Sequence, residues 1–127
     1  MSTTQEDVLR SLLDTPESYE VPHYIPRFKV NFTLKALDEK TIEHLRERAI
    51  WKDKFDNSKF RRLMIEAGCV VPNWKDPVLL EKYQTMDATD VIQKRLFAGE
   101  IESMAEKIAS ISGFGQTEPE LVEDIKN

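Results

Sequence analysis

Between Arg27 and Lys35 apolar and polar residues alternate without a break. Phe28, Val30, Phe32 and Leu34 fall on one side, and Arg27, Lys29, Asn31, Thr33 and Lys35 on the other. A period of two marks a half-buried strand and does not fit a helical stripe. This strand, 27–35, constrains the whole fold, because its backbone N–H and C=O groups need a second strand to pair with. The local candidate is 19–25, where Tyr19, Val21, Tyr24 and Ile25 are apolar but Pro22 lacks a donor and confines its strand to a sheet edge. Failing that, the pairing strand comes from another molecule, and the edge around 28–34 becomes a site for assembly.

Elsewhere the apolar spacing is helical. A short helix over 4–13 has Thr4 as its N-cap, Asp7 three positions on, and Val8, Leu9, Leu12 and Leu13 as its stripe. Asp38 caps a helix over 38–50 that buries Ile42, Leu45, Ala49 and Ile50, with Leu37 and Ile42 spaced as a hydrophobic staple. A polar linker, Lys52 to Asn57, leads to a helix over 58–67 with Phe60, Leu63, Met64 and Ala67 on one face and Gly68 as its stop. Asp76-Pro77 opens a short helix over 77–83. Asp87 opens another over 88–97, and a last regular helix, 100–111, precedes the turn Gly113-Phe114-Gly115.

A chain of 127 residues can bury one core but hardly two, and 40% hydrophobic with 32% charged residues is an ordinary globular balance. The expected fold is an α-rich α+β single domain over 1–115, with five or six short helices packed around one β-strand or hairpin. Residues 116–127 have only Leu121, Val122 and Ile125 to bury and read as a mobile C-terminal tail. No apolar run approaches the roughly 20 residues that cross a bilayer, and the opening MSTTQEDVLRSLLD lacks the features of a signal peptide, so the cytoplasm is the expected compartment.

The residue inventory offers little chemistry. Cys69 stands alone between Gly68 and Val70, an apolar setting that suits an inert buried thiol. His23 and His44 are the only histidines, so no zinc-ligand cluster and no Cys-His pair has a recognisable spacing. The four glycines form no nucleotide-binding loop. Glu100, Glu102 and Glu106 share a helix with Ser103 and Lys107, as on a solvated face. The reading is therefore no enzyme, no cofactor and no metal site.

Binding remains. Lys52, Lys54, Lys59, Arg61 and Arg62, interleaved with Trp51, Phe55 and Phe60, form a basic and aromatic cluster. With helices 38–50 and 58–67 it suggests a helix-turn-helix-like DNA-binding regulator. Acidic neighbours, a long linker and a net charge of −5 argue against nucleic acid, and this reading is kept as the alternative. The stripe Ile101, Met104, Ile108 and Ile111 with Phe114 either packs on helix 58–67, the favoured reading, or holds an amphipathic protein partner.

Several landmarks occur in order: Ile25-Pro26-Arg27-Phe28, Ala36-Leu37-Asp38, Val71-Pro72-Asn73-Trp74-Lys75-Asp76, Tyr83, Gly99-Glu100-Ile101 and Ser112-Gly113-Phe114. Over about residues 5–115 the chain resembles the XkdN-like tail assembly chaperones of phages and defective prophages of Gram-positive bacteria. It departs from that pattern at Gln84, where the family has Gly after Tyr83, and at Ala98, where it has Pro before Gly99. The resemblance implies no catalytic residues. It implies binding to the tail tape measure protein, with the tail tube protein as a further partner and self-association as an option. It also implies work in the host bacterial cytoplasm, absence from the mature virion, and, in some members, a longer product made by frameshifting.

Overall fold

A computed structural model describes residues 3–114, among which the chain forms six α-helices and five short β-strands. In order these are α1 (Gln5–Asp14), β1 (Glu20–Ile25), β2 (Val30–Lys35), α2 (Glu39–Arg48), β3 (Ile50–Trp51), β4 (Lys54–Phe55), α3 (Asn57–Gly68), β5 (Cys69–Val71), α4 (Pro77–Lys82), α5 (Ala88–Arg95) and α6 (Ala98–Ile111). The architecture is α+β, as the mixture of periods implies. The tail expected over 116–127 lies outside the described residues.

The strand expected over 27–35 begins three residues late, at Val30, and finds its partner within the chain. β1 and β2 form an antiparallel hairpin with Val21 opposite Leu34, His23 opposite Phe32 and Ile25 opposite Val30. Arg27, Phe28 and Lys29 belong to its turn, closed by the Lys29 N–H donating to the Ile25 carbonyl at 2.9 Å, with Lys29 in the left-handed region at φ 57°. Phe28 continues the alternation only because its ring folds back to stack on Phe32, centroids 6.1 Å apart. At the hairpin end Val30 is half exposed, whereas Phe32 and Leu34 are buried. β5 joins the other side of β2, with Leu34 opposite Cys69. The sheet order β1-β2-β5 therefore puts the Pro22 strand at an edge and leaves β2 in the middle.

Asp38, Asp56, Asp76 and Asp87 cap four helices through their side chains. Thr4 and Asp7 make the capping box of α1. α2 stops at Arg48, short of residue 50, because Ile50 enters β3. The expected linker is in fact the β3–β4 hairpin, turning through Lys52 and Asp53 at φ 51° and 63°. The helix expected at 88–97 ends at Arg95, where Leu96 becomes extended, and the one expected at 100–111 starts two residues earlier, at Ala98.

α3 is the hub. It packs on α2, α5, α6 and β5 and buries Leu63, Met64, Ile65 and Gly68. The core around it includes Leu34, Val91, Ile92, Met104 and Ile108, each at most 1% exposed. α6 is held at both ends. Near its start Glu100 accepts two bonds from Arg27, at 2.6 and 3.0 Å, while Arg27 also donates to the Arg95 carbonyl at 2.9 Å and lies 3.8 Å from the Phe97 ring centroid. At its end the Ser112 hydroxyl donates to the Ile108 carbonyl and accepts from the Leu37 N–H, at 2.6 and 2.8 Å.

Candidate protein-interaction surface

The α6 stripe divides between interior and surface. Met104 and Ile108 are fully buried, Ile101 and Ile111 are partly buried against the core, and Phe114 is 44% exposed. Phe114 borders a small cavity of about 200 Å³ together with Ile42, Arg46, Phe60, Met64 and Ala109. The Arg46 guanidinium stands 5.9 Å from the ring centroids of both Phe60 and Phe114. Phe60 in turn packs on Phe55 of the hairpin, centroids 5.3 Å apart. Phe55 also borders a shallow hollow with Lys52, Lys54 and Trp51, and Trp51 is 73% exposed with the Lys52 ammonium 5.8 Å from its ring.

The local sequence explains why these side chains stand out. α2 ends at Ala49, whose carbonyl accepts from the Asp56 N–H at 2.8 Å and so closes the base of the β3–β4 hairpin. The two strands are two residues long and project Ile50, Trp51 and Phe55 with about half or more of their surface in solvent. Sequence reasoning assigned Phe114 to one feature and Trp51, Phe55 and Phe60 to another; the fold joins them. The missed element was the hairpin, because Lys52-Asp53 lacks the glycine that usually announces so tight a turn.

A second exposed apolar face belongs to α1. None of its residues is buried, and Val8, Leu9, Leu12 and Leu13 are 43–83% exposed.

The remaining singled-out residues have structural positions. Cys69 is buried, and burial pushes its thiol up to about 11, so it is protonated at neutral pH. Glu100 is engaged by Arg27, whose hydrogen bond holds its carboxyl below the usual range, while Glu102 and Glu106 are exposed. His44 is exposed, and His23 is lowered by burial and then by Lys107. Among the described residues no group of three or more His, Cys, Asp or Glu is placed to hold a metal ion, and no helix is long and apolar enough to cross a membrane. The helix-turn-helix reading loses its recognition helix. α3 fully exposes only Asn57, Ser58 and Lys59 in its first turn, while Arg61 and Arg62 are partly buried, so it presents no free face to a groove.

Against this geometry, the model of the phage XkdN-like tail assembly chaperone proteins matches residues 6–126 of the chain. The chain belongs to that family. Among solved structures it is similar to the crystal structure of the protein YqbN, at 25% identity, with a TM-score of 0.63, over 79% of this chain and 89% of that one. No curated protein matches it. Membership in the XkdN-like family gives the chain a part in phage tail assembly, a non-catalytic chaperone role that entails binding tail proteins. Several of the sequence landmarks make contacts that close this fold. Arg27 meets Glu100 across 73 residues, Leu37 meets Ser112 across 75, and Trp74 packs edge-on against Phe32, centroids 6.0 Å apart.

Proposed function

We propose that this chaperone binds the tail tape measure protein and keeps it soluble until tail tube subunits polymerise around it. The observation that carries the reading is the family match over residues 6–126. A long helical client with exposed apolar surface aggregates alone, and an acidic, soluble cover counters that. Exposed apolar groups on the β3–β4 hairpin, on α1 and at Phe114 supply contact area for such a client. Within the α6 stripe, Ile101, Ile111 and Phe114 make the contact while Met104 and Ile108 hold them from beneath. The chaperone acts in the host cytoplasm, yields its client to the tube protein, and is left out of the finished particle. Handover requires an affinity moderate enough for tube subunits to compete.

Co-expression with the tape measure protein of the same gene cluster, followed by affinity pull-down and size exclusion, tests the role. The expected result is co-elution, with the tape measure soluble only when the chaperone is present. A tape measure equally soluble alone that does not co-elute removes the proposal. Mass spectrometry of purified particles checks the exclusion: the chain should be absent.

A further inference from the structure

We propose that the ridge running from Trp51 through Phe55 and Phe60 to Arg46 and Phe114 receives an acidic amphipathic helix of the client protein, an inference that rests on the chaperone reading. Two features set the chemistry of the occupant. The first is apolar. The rings of Trp51, Phe55 and Phe114 are 73%, 48% and 44% exposed, and the cavity of about 200 Å³ between Phe60 and Phe114 has room for one aliphatic side chain. A row of exposed rings beside an anchoring dent is the surface that the apolar stripe of a helix fills. Strand addition fits poorly, because β3 and β4 are two residues each and offer too few backbone groups for a ladder.

The second feature is charge. From Arg46 to Arg62 the chain has seven Lys or Arg and three Asp or Glu, a balance of +4 in a molecule of −5, so the other residues carry −9. The ion pairs among the described residues are Arg27–Glu100 and Lys75–Glu66, and neither uses a basic group of this stretch. Its three acids, Glu47, Asp53 and Asp56, are already counted in that balance, and none of them forms an ion pair among the described residues. Arg46 lies beside the Phe60 and Phe114 rings, and Lys52 and Lys54 border the hollow at Trp51 and Phe55, which places these three cations along the ridge for charges from outside. An apolar row flanked by uncompensated cations selects a helix whose own stripe is flanked by Glu and Asp. Duplex DNA, the other polyanion, lacks the aliphatic groups that the dent and rings call for, and the −9 of the remainder repels it.

The test uses the full chain and two synthetic 18-residue helical peptides with the same leucine stripe, one with glutamate and one with lysine at every other position. Trp74 is 3% exposed and Trp51 is 73% exposed, so changes in acrylamide quenching report Trp51. Binding of the glutamate peptide should shift Trp51 emission to the blue and shield it. By anisotropy of labelled peptide, affinity should fall at least tenfold in Lys52→Glu plus Lys54→Glu, and at least tenfold in Trp51→Ala plus Phe55→Ala. The lysine peptide and a 20-base-pair duplex should bind at least tenfold more weakly. Equal binding of the lysine peptide or duplex, or unchanged affinity in both variants, overturns the inference. So does concentration-dependent self-association that both variants abolish, which would assign the ridge to a second copy of the chain. Both double variants also enter the co-elution assay with the tape measure. If wild type and variants co-elute alike, the ridge is wrong and the chaperone reading stands; if wild type fails to co-elute, the chaperone reading fails and the peptide titration still decides what the ridge accepts.

Discussion

Gly68 is the last residue of α3 and does not have the left-handed backbone of a helix-stopping glycine. Its role is proximity: a Cβ there would lie 2.9 Å from Ile108 Cδ1 and Cγ2, and Ile108 is fully buried. Gly68→Ala should therefore destabilise the protein by about 1–3 kcal/mol in urea titration, although alanine favours helix, because overpacking a closed core outweighs propensity. Gln84 presents the opposite case. It holds φ 51°, in the left-handed region that favours glycine, and Gln84→Gly should raise stability by up to about 1 kcal/mol by removing the left-handed penalty. The sequence reveals both positions only in part. Gly68 is visible as a glycine after a helical stripe, but the need for a bare Cα comes from a side chain 40 positions away.

At the scale of elements, what the sequence disclosed depended on how locally each element is determined. α1, α2, α4 and α5 announce themselves through caps that act within three residues: Thr4 with Asp7, Asp38 with Thr41, Asp76 with Val78, Asp87 with Thr89. The Lys52-Asp53 turn and the three residues of β5 carry no such signal, since one lacks glycine and the other is a strand only because β2 lies beside it. The candidate surface was hidden for the same reason: it is assembled across the unforeseen hairpin. α1 is legible yet leans on little, as none of its residues is buried. Leu12→Ser plus Leu13→Ser should leave the thermal midpoint of the domain nearly unchanged, within about 0.5 kcal/mol, in contrast to a truncation such as Ile108→Ala at about 2–5 kcal/mol.

Over the whole molecule, four ionisable groups, His23, Asp38, Asp87 and Glu100, are shifted downward, whereas Cys69 and Arg27 are shifted upward. His23 is lowered by burial and by Lys107. Asp38 and Glu100 are lowered chiefly by hydrogen bonds from Thr41 and Arg27, and Asp87 is lowered despite its burial, by Thr89 and then by Arg48 and Lys59. In each of these four the folded state holds its proton less tightly than the unfolded chain, so stability is full above the ordinary value and is lost as pH falls. Urea midpoints should decline first below about pH 6.5, where the unfolded histidine protonates, and again below about pH 4, where the carboxylates do. His23→Gln should abolish the first decline and leave the second. The contacts that hold α6 in place, Arg27 to Glu100 and Leu37 to Ser112, have a further effect that concerns time. They join the first third of the chain to a helix that the ribosome makes among the last described residues, so the hairpin and α3 must wait, their core side open, until residue 112 is out. Phe114 emerges two residues later, and the surface proposed for a client is thus completed in the same step that completes the fold.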